Sequence, residues 1–330
     1  MGRRALRIGA AALGPVAALV WIACGSSYDG DGGEPDAGLE EVRPRDASIK
    51  DTAKPDVDAD APAPCDPGAP FTNVAAAPGK INGLLDDGFP TLTDDELTMY
   101  FQRSALGGGE NPKFFVAVRS SALVDFGDPI EVAELTDGAF NNFPAISPSG
   151  DVLYFTSAPA LGGKADLKKA TRGAMGRFDA AVPVTALNTA DDDTFPSVFG
   201  RGEELWFGRN ADGGPYHLHR SVVLTGGGFT NPQRINELED PTAGEGTSAS
   251  TRDGLTVYFS SSREGGAGGL DIWVARRQAR SSPFSFVAVV PGASSTSEDA
   301  PAWLSADACR LYFTTTRLGS FDIFVASRNP

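Results

Sequence analysis

From about residue 86 onwards the chain repeats one pattern, a short run of consecutive apolar residues followed by a polar turn rich in Gly, Asp and Ser. Val152-Leu153-Tyr154-Phe155 is such a run, preceded by the turn Ser147-Pro148-Ser149-Gly150. A strand with one wet face alternates apolar and polar residues. A short unbroken apolar run bounded by turn signals reads instead as a strand covered on both faces. Five runs carry an aromatic doublet: Tyr100-Phe101, Tyr154-Phe155, Trp206-Phe207, Tyr258-Phe259 and Tyr312-Phe313. They start 54, 52, 52 and 54 residues apart. Self-similarity at such a period is the signature of a repeat architecture.

Around each doublet the same order recurs. Phe89-Pro90, Phe143-Pro144, Phe195-Pro196 and Ala300-Pro301 introduce a first strand, and the doublet sits on the second. A Gly-rich hairpin such as Arg263 to Gly269 leads into a third strand, Asp271-Ile272-Trp273-Val274-Ala275, echoed by Asp322-Ile323-Phe324-Val325-Ala326. A fourth strand follows each of Phe126, Phe178, Phe229 and Phe284. Each repeat therefore predicts a four-stranded antiparallel meander. Sheets packed between neighbours on both faces are the blades of a β-propeller, so the expected fold class is an all-β propeller of five blades.

The ends of the pattern bear on closure. The last repeat stops after its third strand, while a spare segment from Phe71 to Asn82, similar to Phe229 to Asn236, precedes the first. The spare strand is expected to complete the last blade and so remove an open sheet edge. Cys65 directly precedes it, and Cys309 is assigned to the second strand of the blade it completes. In an exported protein two remaining thiols commonly pair, so a Cys65–Cys309 disulfide is expected.

The export address lies at the other end. Arg3, Arg4 and Arg7 precede an apolar run from Ile8 to Ala23, too short to span a bilayer comfortably. The run ends at Cys24 and looks like a bacterial lipoprotein signal, with Cys24 as the acylated residue and Trp21 where that pattern prefers Leu. Gly25 to Pro64 holds eleven acidic and four basic residues with almost no aromatics, the composition of a disordered tether. The expected organisation is a signal peptide over 1–23, an acylated Cys and acidic linker over 24–64, and the propeller over 65–330. The expected address is a membrane-anchored lipoprotein of the bacterial envelope, at the outer membrane, with a monomeric propeller facing the periplasm or cell surface.

Charge and composition then narrow the chemistry. A net charge of −15 argues against nucleic acid, whose phosphates need clustered Lys and Arg. With 2 His and 3 Met, no metal site or cofactor is expected, and no nucleophile elbow, zinc helix or phosphate loop occurs. His217 and His219 share a strand face but have no evident third ligand. Arg263 with Asp271, and Arg317 with Asp322, are expected to pair and pin their hairpins. Three residues before the Pro of each first strand stand Asp87, Asn141, Asp193 and Glu298, with Glu245 in register in the fourth repeat. These five form a candidate ligand-binding ring at the channel mouth, able to attract a cation or a basic segment, or merely to cap their own turns.

The Leu-Tyr-Phe-Thr-Ser string at Leu153 to Ser157 and the Val-Tyr-Phe-Ser-Ser-Ser-Arg string at Val257 to Arg263, with the Asp-Ile-Trp-Val-Ala that follows, resemble the TolB-type, WD-like propeller repeats of bacterial envelope proteins. The resemblance covers Phe71 to Arg328. That family's best-known propeller has six blades, which keeps six as the alternative to five. Its repeats imply fold more than function. The reading that follows is a protein- or glycan-binding scaffold with no catalysis. The alternative is a polysaccharide hydrolase or lyase using carboxylates at the channel mouth. An enzyme should show one asymmetric cluster of perturbed acids, a scaffold a symmetric ring.

Overall fold

The computed structural model describes residues 65–106 and 111–329. The expected lipoprotein-type signal, the expected acylation of Cys24 and the expected disordered linker all fall on residues 1–64, outside the described residues. Among the described residues no helix is long and apolar enough to cross a membrane.

Five four-stranded antiparallel sheets form the five blades of a propeller. Their innermost strands are Asp86–Leu92, Phe140–Ile146, Asp192–Phe199, Glu245–Ser250 and Asp299–Leu304, for blades 1 to 5 in turn. Each innermost strand contacts the next around the axis, and the fifth contacts the first. The spare strand, Asn73–Ala76, pairs antiparallel with Asp322–Ser327 and supplies the outer edge of blade 5. Five blades and closure by the N-terminal strand agree with the repeat count; the six-blade alternative does not hold.

The aromatic doublets divide their work between the two faces of a blade. Phe101, Phe155, Phe207, Phe259 and Phe313 are all wholly buried. Their partners Tyr100 and Tyr154, Trp206, Tyr258 and Tyr312 face the adjacent interface and are also buried. Six hydrophobic clusters result, and most combine residues of two neighbouring blades, as where Phe114 of blade 1 meets Phe155 of blade 2. Burying such rings on both faces removes large apolar areas from water.

The Phe-Pro dipeptides do not precede the first strands; they sit inside them, at a bulge. Register shifts fall between Gly88 and Thr91, Asn142 and Ala145, and Thr194 and Ser197. At these bulges Phe89, Phe143 and Phe195 adopt φ of 53°, 54° and 53°. Bulky residues rarely adopt left-handed backbone, and here the cost is offset by cross-blade bonds. The Phe89 amide donates to Thr314 Oγ1 at 2.6 Å, Phe143 to Gln102 Oε1 at 2.8 Å and Phe195 to Thr156 Oγ1 at 3.1 Å. The three rings stack edge-to-face around the axis, 4.5 Å apart at each contact. Pro is tolerated at such a bulge because the ladder is already interrupted there.

Cys65 and Cys309 are joined by a disulfide, with Cα atoms 6.0 Å apart and the two residues 244 positions apart in sequence. Cys309 occupies the turn just before the strand Arg310–Thr315 rather than the strand itself.

Candidate functional site

The innermost strands all begin at one end of the propeller, and there the candidate ring residues gather. Asp87, Asp193 and Glu245 are wholly buried, and Asn141 is 3% exposed. Each carboxylate is paired within its own blade: Asp87 with Arg103 at 2.5 Å, Asp193 with Arg209 at 2.7 Å, and Glu245 with Arg263 at 2.9 Å. In blade 5 the matching residue is Asp299, opposite Thr315 as Asp87 is opposite Arg103, and it contacts Arg317 at 3.1 Å. Glu298, which sequence placed in the ring, stands one position earlier. The bulge of blade 5 falls later, between Pro301 and Trp303, so its Pro is a false anchor for the alignment.

The arginines do more than neutralise. Arg103, Arg209, Arg263 and Arg317 each lie over the Phe of their doublet and donate to a carbonyl of the incoming connection, at Ile81, Leu187, Leu238 and Ala293. The carboxylates cap the same connections, Asp87 accepting from the Gly83 amide and Asp193 from that of Thr189. Blade 2 has no such arginine, and its Asn141 takes over directly, donating to the Leu135 carbonyl at 3.0 Å. The ring is thus a set of buried clamps holding each blade to its connection. Arg263 and Arg317 serve this ring, not the hairpin aspartates: Asp271 accepts from the Ala267 and Gly268 amides and Asp322 from Ser320. Burial pushes the Asp87, Asp193, Glu245 and Asp299 carboxyls above their ordinary range, against the opposing pull of their arginines.

One position earlier runs a second tier, which sequence reasoning missed except for Glu298. Asp86 accepts from the Phe321 amide, Asp192 from Ala165 and Glu298 from Leu270, in each case the residue just before the third strand of the preceding blade. Where that residue is proline, with no N–H to give, the acid is absent: Pro112 faces the junction entered by Phe140, and Pro215 the one entered by Gly244. The signal lay in the sequence as this pairing of acid with N–H and of non-acid with Pro. None of the three acids has a cationic side-chain partner among the described residues.

Glu298 differs from its two counterparts. Its Oε2 is buried without a hydrogen-bond partner, as is Oδ1 of nearby Asp271. Burial first, then the charges of Asp299 and Asp271, push its carboxyl above the usual range. The histidines find protein partners: His217 Nδ1 meets Glu245 Oε2 at 3.0 Å, and His219, its pKa lowered by burial, stacks on Phe207.

Toward the opposite end of the inner strands lies a cavity of about 40 Å³ among Thr91, Ser197 and Ser248. Arg252 of blade 4 pairs with Asp94 of blade 1 at 2.6 Å beside it. The carboxylate end, where two tiers of acids gather, is the candidate site.

No protein-family model and no curated protein matches the chain. Solved structures do. A GH43_1 enzyme from Xanthomonas citri, complexed with xylotriose, matches with a TM-score of 0.55 at 14% identity, over 76% of this chain and 90% of that one. An alpha-L-arabinofuranosidase from Lactobacillus brevis matches at 0.50 and 10% identity, over 76% and 92%. TolB from Acinetobacter baumannii matches at 0.42 and 12%, over 73% and 54%. At these identities the likeness is one of fold. It corrects one expectation: the reading that excluded catalysis does not stand, because glycoside hydrolases are among the proteins that share this propeller architecture.

Proposed function

We propose that the chain is a carbohydrate-directed propeller hydrolase held at the bacterial envelope, with its working surface at the carboxylate end and Glu298 as the general acid. Glu298 carries the reading. It is a half-buried carboxyl with no cationic partner among the described residues, an unbonded oxygen and a pKa raised by burial and by Asp299 and Asp271. A raised pKa keeps a proton on a carboxyl at a pH where an ordinary glutamate has lost it, the property that lets it protonate a leaving glycosidic oxygen. Asp86, one blade on and in the same tier, supplies the second carboxyl such chemistry needs. The tier is asymmetric, with acids on blades 1, 3 and 5 only, whereas the buried clamps repeat around the ring.

Fold-level support comes from the hydrolases above, one of them solved with xylotriose. The envelope address rests on the basic start, the apolar run and Cys24, and Cys24→Ser should move the protein from membranes to the soluble fraction. The activity is tested by incubating the purified chain with pentose- and hexose-based polysaccharides and measuring new reducing ends. Release from at least one polymer is expected. Binding to a polymer without release from any would replace the hydrolase with a glycan-binding module.

A further inference from the structure

The second tier of acids clasps three of the five blade junctions and leaves two without a clasp. Between blades 3 and 4 the gap is filled, since Gly244 packs so closely that a Cβ there would lie 3.2 Å from both the Tyr216 nitrogen and its carbonyl oxygen. Between blades 1 and 2 it stays open. A cavity of about 310 Å³ lies there, lined by Asn111, Pro112, Lys113, Thr136, Ala139 and Asn141 among others. That volume falls at the lower edge of the range of about 300–1,000 Å³ typical of ligand pockets.

Asn141 gives the cavity its chemistry. Its Nδ2 donates to the Leu135 carbonyl at 3.0 Å and to Asp137 Oδ1 at 2.9 Å. Both partners can only accept, so the amide cannot be turned round. Its Oδ1 is left buried with no partner, and a buried acceptor without a donor favours whatever brings one. The charges around it are already matched: Lys113 sits 3.2 Å from Glu131, and Lys168 sits 3.2 Å from Asp137. Among the described residues an ionic ligand would find no unpaired charge to meet there. Pro112 and Ala139 add apolar wall, and Asn111 ties the hairpin of blade 1 to the connection through the Gly138 carbonyl at 2.7 Å.

We propose that the cleft between blades 1 and 2 is a subsite for one ring of a neutral sugar, with a hydroxyl donating to Asn141 Oδ1 and a C–H face lying on Pro112 and Ala139. The proposal rests on the glycan reading above but not on Glu298.

Xylotriose, a neutral trisaccharide, serves as the probe in calorimetric titration of the full-length chain in detergent. Ala139→Trp fills the cavity without touching any hydrogen bond of Asn141, and Asn141→Ala removes the acceptor. Affinity is expected to fall at least about tenfold in both. A folded Ala139→Trp protein with parental affinity would overturn the subsite, as would a parent that binds no xylotriose at millimolar concentration. Cleft-dependent binding by a chain that releases no reducing ends would uphold the subsite and remove only the hydrolase reading.

Discussion

Arg328 of blade 5 donates to the hydroxyl of Tyr258 in blade 4 at 2.6 Å, so the arginine that ends the last strand is tied to the blade before it. Arg172 reaches Tyr100 in the same way, and Arg119 reaches Tyr312. Blade 3 offers Trp206 instead of a tyrosine, and Arg277, packed over Phe199 and Phe284 beside that indole, is left with Nη2 buried and unsatisfied. Tyr258→Phe should put Arg328 in the position of Arg277. A loss of about 1–3 kcal/mol in urea unfolding is expected, the cost of stranding a buried donor. No loss would mean that the tyrosine hydroxyls are incidental.

Blade 2 is a natural variant of the buried clamp, with Asn141 opposite Ser157 where blade 3 has Asp193 opposite Arg209. Arg209→Ser alone leaves Asp193 buried without a counter-charge and should cost about 3–5 kcal/mol. Adding Asp193→Asn copies blade 2 and allows an amide to donate to the Leu187 carbonyl as Asn141 does to Leu135. The double variant should therefore be more stable than Arg209→Ser. A double-mutant cycle in which the second change adds further loss would show that the two blades do not share one design.

Glu298 makes stability depend on pH with a definite sign. Its folded pKa lies above its unfolded value, so the native chain holds a proton that the unfolded chain releases, in a window opening near the ordinary glutamate value of about 4.3. More protons on the native state means that stability falls as pH rises through that window. The contribution is complete below the unfolded pKa and is lost above the folded one. Glu298→Gln should remove it and be more favourable, relative to the parent, at pH 7 than at pH 4. An identical difference at both pH values would contradict the raised pKa.

The ring is closed twice, by the strand Asn73–Ala76 and by the Cys65–Cys309 bond. Replacing both cysteines with serine should cost about 2–5 kcal/mol while leaving the fold closed. Removing residues 71–82 should abolish cooperative unfolding, because blade 5 would then expose a bare edge and lose Phe71 from beneath Arg328. Thermal melts of the two variants separate these effects.

The architecture was legible in the sequence because its determinants are local and repeated. The doublets at Tyr100-Phe101 through Tyr312-Phe313 mark strands buried on both faces, and the spare strand at Phe71 implied its missing partner. The site was harder to read for equally physical reasons. Arg103 and Arg209 lie two residues beyond their doublet Phe, but Arg263 and Arg317 lie four beyond and fold back to the same carboxylate position. A one-dimensional pattern pairs them with the nearer aspartates across the hairpin. The displaced bulge of blade 5 shifted the ring from Asp299 to Glu298, and that slip named the one acid whose surroundings are unlike the rest. The second tier depends on contacts between blades, so it could be found only by comparing each inner strand with the hairpin of its predecessor.

The central claim turns on Glu298. The most direct test compares reducing-end release by the parent and by Glu298→Gln from the polysaccharide that the parent degrades best, with melting temperatures measured alongside. A positioned general acid contributes about 10²–10⁴-fold, so the account predicts a loss of at least about a hundredfold in a protein that melts no lower than the parent. Equal release by the two proteins would contradict it.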